Sequence, residues 1–361
     1  MALDFSRAQA LKPTIIEQSR GGSLALYHEA QERGLTLSEL LETLDPSPRD
    51  TEGRIACELD AFERQLAVHD VIASGREAIT VEQFFVGGAL ILLPEYILRE
   101  IRHGYTMVQD PGELIAVSVP EQGPTVRPIY VRTEAAKKSA GRRASGGAAY
   151  PRVQLLYRDK EAAIIDRGRQ FDFSYRIVKN QKLAEFRVFL WWIGAQLAYD
   201  EIDSIYKVVK EGDGTSPAAE DVFNGTAGSF TYTDLVHLAS SFDVPAKMSH
   251  LLASRADIET ILNMSQFQDP HTFTAAELFQ RSGSYAGFLP VNAKLVAVPA
   301  AVEGKMMALD SRFAVRESVS QPLMIEADKV IERKLETAVV SKEAVYTVMV
   351  DDARKLSDAT A

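Results

Sequence analysis

The sequence predicts an α+β fold, and three observations carry the prediction. Apolar residues recur at helical spacing over about residues 181–211. Residues 127–182 hold strand-like runs on both sides of a tip rich in Gly, Ala, Ser, Lys and Arg, and from Lys294 onward strand-like runs dominate. At 361 residues the chain can bury one large core or two moderate ones. Its apolar and charged fractions, 46% and 25%, are those of an ordinary globular protein, so disorder is not the default reading. The net charge of −10 argues against nonspecific nucleic-acid binding by the whole surface. A single cysteine, Cys57, excludes an internal disulfide and a thiolate zinc cluster, and fits a reducing compartment. The opening MALDFSRAQALKPT carries an acid early and no apolar signal core, and FFVGGALILLP and VFLWWIGAQLAY are too short to span a bilayer. A soluble cytosolic product is expected.

Charge is unevenly placed. From Arg127 to Lys182 there are 14 basic residues against 5 acidic ones, a surplus of nine that leaves −19 for the rest of the chain. A basic segment in an acidic protein asks for an acidic partner, and another copy of the same chain offers one.

Taken in order, residues 1–82 predict a helical N-terminal arm. SLALYHEAQERGLTLSELLETL is followed by the turn DPSPRD and then GRIACELDAFERQLAVHDVIASG, where Ile55, Leu59, Phe62 and Leu66 form one stripe of an amphipathic helix over 53–73, with Gly75 as a stop. A stripe on so small a segment needs something to dock on. Residues 83–126 contain LILLPEYILREIRHG, an entry helix opened near Pro94 and closed by Gly104. Residues 127–182 predict a long hairpin with arms reaching on the order of 50 Å at about 3.3 Å per residue. Such a ribbon alone is marginal in water and needs a neighbour to lie on.

Residues 183–227 begin with the strongest helix, a spine of roughly 45 Å at ~1.5 Å per residue, with Leu183, Phe186, Leu190, Ile193, Leu197, Ile202, Ile205 and Val209 on one side. Around Val188–Trp192 it is apolar all round, which predicts cover on more than one face. Residues 228–309 hold three further helices: TYTDLVHLASSF with Thr231 or Thr233 as cap, SRADIETILNM with Ser254-x-x-Asp257, and TAAELFQRSG with Thr274-x-x-Glu277 and a stop at Gly283. Residues 310–342 read as long strands, one of them half-exposed from Ile331 to Val339, and 343–361 as a return strand with the C-terminus.

No motif for chemistry survives inspection. In DEIDSIYKVVKEGDGT, a calcium loop begun at Asp213 would put Pro217 at its fifth position and Asn224 at its twelfth, where a Glu is required. Gly212 and Gly214 follow a helix and so read as its C-terminal stop, not as a phosphate cradle. GRRASGG lacks the Lys-Ser/Thr pair of a P-loop, no His-x-x-x-His occurs, and no Gly-x-Ser-x-Gly elbow is present. Cys57 and the six histidines read as packed or surface residues, and the acid pairs Asp200/Asp203 and Asp351/Asp352 as solvated charge at helix positions. Adjacent indoles point about 100° apart on a helix, so Trp191–Trp192 predicts core packing from two sides. No catalytic, cofactor-binding or metal-ligating residue is expected. The basic tip, Lys137, Lys138, Arg142 and Arg143, lacks the interleaved aromatics of a nucleic-acid arm. With Arg152 and Arg158 it is expected to contact a sister subunit.

The order of these pieces resembles the major capsid proteins of tailed bacteriophages, which share the Hong Kong 97 fold. The likeness covers roughly Leu90 to Leu356 and rests on LPEYILREI, the basic hairpin, the spine ending in KEGDGTSP, TYTDLVHLASSF, ASRADIETILNM and the tail LDSRFAVRESVSQPLMIEADKVIERKLETAVVSKEAVYTVMVDDARKL. The resemblance implies that 127–182 is the family's extended loop. The spine and the 310–340 strands would belong to a peripheral domain, and most of 228–309 with 343–356 to an axial domain. It implies a shell subunit without enzymatic activity or cofactor, assembled in a bacterial cytoplasm from hexamers and pentamers into a virion head. Such a head encloses double-stranded DNA without reading its sequence, and scaffolding, portal and decoration proteins are the family's other partners; no membrane is involved. Some relatives join neighbours by a Lys–Asn isopeptide bond, but no Asn follows Asn292 here, so none is expected. An encapsulin-type compartment shell is similar to the same fold and is the near alternative. A soluble enzyme without a recognisable motif is the alternative of a different class.

Overall fold

The computed structural model describes residues 5–21, 25–50, 55–57, 59–71, 80–86, 88–108, 110–133, 153–174, 182–268, 293–330 and 335–360. The chain forms two compact units: residues 1–107, 168–195 and 324–340 make one, and 108–167, 196–323 and 341–361 the other.

The first unit is built on helices α1 (Ser6–Gly21), α2 (Ala25–Glu32), α3 (Leu37–Leu44), α4 (Ala61–Val68), α5 (Glu82–Val86), α6 (Leu93–Met107) and the first half of α7 (Leu183–Glu211). Two of these start on reciprocal caps. Thr36 with Glu39 opens α3 and Asp60 with Glu63 opens α4, each pair satisfying amides that the first turn leaves bare. Ile15, Leu26, Leu40, Leu41, Phe62, Phe84, Leu92, Ile101 and Leu190 are all buried.

The N-terminal residues are therefore part of a packed core, not an arm awaiting a neighbour. Asp60 caps α4, so the helix expected over 53–73 is only 61–68. Ile55 and Leu59 precede it, exposed and half-buried, while Phe62 and Leu66 are covered by their own unit. Gly75 lies outside the described residues. Arg64, 3% exposed, secures this packing by pairing with Asp45 at 2.9 Å and donating to Ser47 Oγ, Leu59 O and Asp45 O.

Gly104 does not close α6. It sits inside the helix, where a Cβ would stand 2.2 Å from Trp191 O, just as a Cβ on Gly194 would stand 2.1 Å from Ile101 O. The two glycines let α6 and α7 cross backbone against backbone, and that requirement, not termination, explains the residue.

The strands are β1 (Val117–Pro120), β2 (Thr125–Val126), β3 (Ile129–Thr133), β4 (Val153–Tyr157), β5 (Ala162–Ala163), β6 (Ile165–Ser174), β7 (Glu220–Asp221), β8 (His250–Ala253), β9 (Lys294–Ala297), β10 (Lys305–Leu309), β11 (Val315–Val330), β12 (Leu335–Val348) and β13 (Arg354–Asp358); β6 from Gly168, β11 from Met324 and β12 as far as Val340 are counted in the first unit, and the rest in the second. They form a four-stranded sheet in the order β1-β11-β12-β6, a five-stranded sheet β7-β13-β10-β8-β9, and two ribbons, β2–β5 and β3–β4. The runs FAVRESV and PLMIEA join into one sixteen-residue strand, β11, across Pro322; the β1 register ends at Val319, before the proline that cannot donate.

Helices α8 (Tyr232–Ser240) and α9 (Arg255–Leu262) begin at the expected caps. The Asp234 carboxylate accepts from Thr231 N and Oγ1, and Ser254 Oγ accepts from Asp257 N. A short helix α10 (Ser265–Gln268) follows, and Thr274, Glu277 and Gly283 lie outside the described residues. Leu235, Leu238, Leu251, Ile261, Leu295 and Met306 form one core, and Ile202, Ile205, Val209, Leu252, Met307, Val315 and Tyr346 form a second. Among the described residues no helix is long and apolar enough to cross a membrane.

The GDGT segment is a structural stop. Gly212 and Gly214 take φ of +88° and +79°, and Asp213 accepts from Thr215 N, Thr215 Oγ1, Ser216 N and Val348 N. Burial alone would raise the Asp213 pKa, but those hydrogen bonds outweigh it and hold the carboxyl below the ordinary value.

Candidate assembly surface

The antiparallel hairpin β3–β4 has a definite apolar face. Its register pairs Ile129 with Tyr157 and Val131 with Leu155, so these four side chains share one side of the ribbon. Leu155 and Tyr157 are 67% and 62% exposed. Ile129 and Val131 are half-buried, and the Arg127 guanidinium lies 5.9 Å from the Tyr157 ring centre. The opposite side carries Tyr130 and Arg158, stacked with the guanidinium 4.0 Å from the ring centre. A two-stranded ribbon with one apolar side uncovered is an unfinished surface.

A second exposed apolar surface lies on the first half of α7. Val188, Phe189 and Trp192 are 57%, 43% and 64% exposed, while Leu183, Phe186, Leu190 and Ile193 on the other side are buried. Among the described residues, the all-round apolar portion of the helix is thus buried on one side and 43–64% exposed at Val188, Phe189 and Trp192. Trp191 meets the expectation of packing: it lies between the His103 ring, 5.0 Å away, and the Arg187 guanidinium, 4.8 Å away, and donates from Nε1 to Glu100 at 2.6 Å. Trp192 does not: it is 64% exposed.

Of the basic residues expected at this surface, Lys137, Lys138, Arg142, Arg143 and Arg152 lie outside the described residues. Arg158 is described and is turned inward. It is 9% exposed and donates to both oxygens of Asp351, at 3.1 and 3.0 Å, so its charge is engaged within the second unit. Asp351 is not simply solvated either, for it also accepts from Arg354 at 3.2 Å. Arg354, 1% exposed, donates to Val209 O, one of the last-turn carbonyls that the end of α7 leaves bare, and to Pro217 O beyond the helix. Farther along β12, Lys342 bridges Glu201 and Glu317 at 2.7 and 2.6 Å, and Tyr346 donates to Glu201. The sequence held no local signal for Arg158–Asp351, Lys342–Glu201 or Tyr346–Glu201, whose members are more than a hundred positions apart.

One buried group gives the second unit a pH dependence. His250, on β8, has Nδ1 2.9 Å from Ser249 Oγ, while its buried Nε2 has no hydrogen-bond partner. Burial, with the Lys294 ammonium on β9, lowers its pKa below the ordinary 6.5; Glu113 and Asp310 oppose this without offsetting it. The fold therefore prefers the neutral ring, and the unfolded chain takes up a proton that the folded one refuses. Stability from this group is complete above about 6.5 and is lost as pH falls from there through the lower folded value. Melting temperature should drop across that window in the parent chain and drop less in His250→Gln; equal slopes in the two would remove His250 as the cause.

No protein-family model matches the sequence, and no curated protein matches it. Among solved structures it is similar to the virus-like particle protein of Pyrococcus furiosus, with 10% identity, 73% of this chain and 99% of that one covered, and a TM-score of 0.47. It is similar to a phage-related protein from Bordetella bronchiseptica, with 9% identity, 72% and 96% covered, and a TM-score of 0.48. It is also similar to the capsid of a native GTA particle, with 12% identity, 70% and 92% covered, and a TM-score of 0.47. At these identities and scores the likeness decides nothing about what this chain does.

Proposed function

We propose that the chain is a shell subunit that assembles with many copies of itself, of the Hong Kong 97 type and in the head of a tailed double-stranded DNA bacteriophage. The observation that carries the reading is the hairpin face of Ile129, Val131, Leu155 and Tyr157, an apolar surface on which Leu155 and Tyr157 are 67% and 62% exposed. A shell subunit places such a face on the next copy, where α7 offers Val188, Phe189 and Trp192. Burying a side chain of this size contributes about 1.5–3 kcal/mol, so a few such contacts repeated around a ring are sufficient without any one being strong. The basic tip residues Lys137, Lys138, Arg142, Arg143 and Arg152 would add attraction to the acidic remainder of a neighbour and fix register more than affinity. No chemical step belongs to this function, and the enclosed DNA is held without sequence readout.

The test is the purified chain on a sizing column and under the electron microscope. The parent should form closed particles containing nucleic acid. The double variant Leu155→Glu, Tyr157→Glu should keep its circular dichroism and fall to small species. A parent that stays monomeric at high concentration, or a variant that still forms shells at parental yield, overturns the reading. Particles filled with a cargo protein and free of genome would transfer it to the encapsulin-type compartment.

A further inference from the structure

We infer that Asp351 is a clamp that fixes how the hairpin joins the rest of the second unit, one carboxylate shared between an arginine of the hairpin base and an arginine bound to the end of the long helix. The inference deepens the shell reading and rests on it only for its consequence, the angle at which the hairpin meets a neighbour.

Few bonds tie the ribbon β3–β4 to the rest of its unit. The described ones are Val131 N to Met349 O at 3.0 Å and Arg158 to both oxygens of Asp351. Other contacts at its base stay inside the ribbon: Arg127 Nε to Arg158 O, Arg158 N to Pro128 O, and Arg158 over Tyr130. Asp351 in turn sits in the single turn between β12 and β13, and Arg354 holds it from the other side. Because Arg354 also donates to Val208 O, Val209 O and Pro217 O, its position is set by the end of α7. The line from the helix through Arg354, Asp351 and Arg158 to Tyr130 is continuous, and the carboxylate is its one negative member.

The sign of the charges makes this link a switchable one. With Asp351 ionised, two inward-turned guanidinium groups are drawn to the same point. Without it the two like charges are left at one site with no anion between them, and Arg158 disfavours the charge of Arg354. Loss of Asp351 turns attraction into repulsion, whereas loss of Arg158 removes attraction alone. A residue that merely filled space would not show this asymmetry.

Hydrogen exchange of the hairpin amides, read on unassembled chain, tests the clamp. In Asp351→Asn the β3–β4 amides should exchange roughly tenfold faster than in the parent, with β8 and β10 unchanged. Arg158→Met should give a smaller acceleration, and in the Arg158→Met background Asp351→Asn should add no more than about twofold. The clamp is overturned if Asp351→Asn leaves hairpin exchange at the parental rate, or accelerates it equally with and without Arg158. Should Asp351→Asn loosen the whole unit, Arg158→Met alone decides, since it leaves the Asp351–Arg354 pair in place: faster hairpin exchange by itself supports the clamp, and an unchanged rate overturns it. Particle formation is scored separately. Absent particles sink the shell reading and leave the exchange result standing, while normal particles with parental exchange in every variant sink the clamp alone.

Discussion

Asp45→Ala should cost the first unit about 3–5 kcal/mol, the amount typical when one partner of a buried ion pair is removed. The reason is what it leaves behind. Arg64 is 3% exposed, and its guanidinium would keep its bonds to Ser47 Oγ and Leu59 O but lose the only carboxylate within 4 Å among the described residues. Whole-domain stabilities are commonly about 5–15 kcal/mol, so the loss should appear as unfolding of α3 and α4 well before the rest of the chain. Denaturant titration followed by protease sensitivity around 37–68 would read it. The double replacement Asp45→Leu, Arg64→Met should recover most of the loss, because two apolar side chains remove the unpaired charge along with the pair. If Asp45→Ala costs less than about 1 kcal/mol, in the range of exposed pairs, the charge is not buried in solution as the fold has it.

The same cluster marks where reading the sequence stopped short. The spine helix, its GDGT stop, the caps at Thr231 and Ser254, and the strands β9 and β10 were legible, because each depends on local spacing or on one residue's backbone preference, whereas the half-exposed strand expected from Ile331 to Val339 falls partly outside the described residues. The N-terminal segment was misread as an undocked arm because its partners are distant in sequence. Ser38 donates to Glu95 across 57 positions, Gln65 to Ala8 O across 57, and Tyr27 to Ile91 O across 64. A stripe of four apolar residues says that a helix has a covered side, but not which part of the chain covers it.

The candidate surface divides in the same way. Strand-like runs on both sides of the basic tip gave the ribbon, although FDFS falls in β6, which pairs with β12 and not with β3; the register shows which side is apolar, and the exposure of Leu155 and Tyr157 was not legible. Asp351 looked like solvated charge because its arginines are 193 positions back and three ahead. Arg158 looked like an outward contact for the same reason. Charge counting alone gives composition, not direction.

Glycine at 104 and 194 was ambiguous for a different physical reason: a glycine in a helical run is a stop in one context and a contact point in another. The distinction predicts a large effect. Alanine is the better helix former by about 0.8–1.0 kcal/mol, so Gly194→Ala would stabilise α7 if nothing else changed. Its Cβ, however, would stand 2.1 Å from Ile101 O and 2.7 Å from Tyr105 N, and these are backbone atoms with no rotamer in which to retreat. The helices must separate. Overpacking of this kind typically costs about 1–3 kcal/mol and at times more, and the absence of any flexible side chain at the contact puts this case at the upper end. Parting α6 from α7 would also loosen Trp191 from His103 and Glu100, which hold the indole whose neighbour Trp192 is bare. Gly194→Ala should therefore lower the melting temperature of the first unit and shift tryptophan fluorescence, and Gly104→Ala should do the same from the other side of the crossing. A Gly194→Ala chain as stable as the parent would mean that the two backbones do not approach this closely, and the crossing would have to be redrawn.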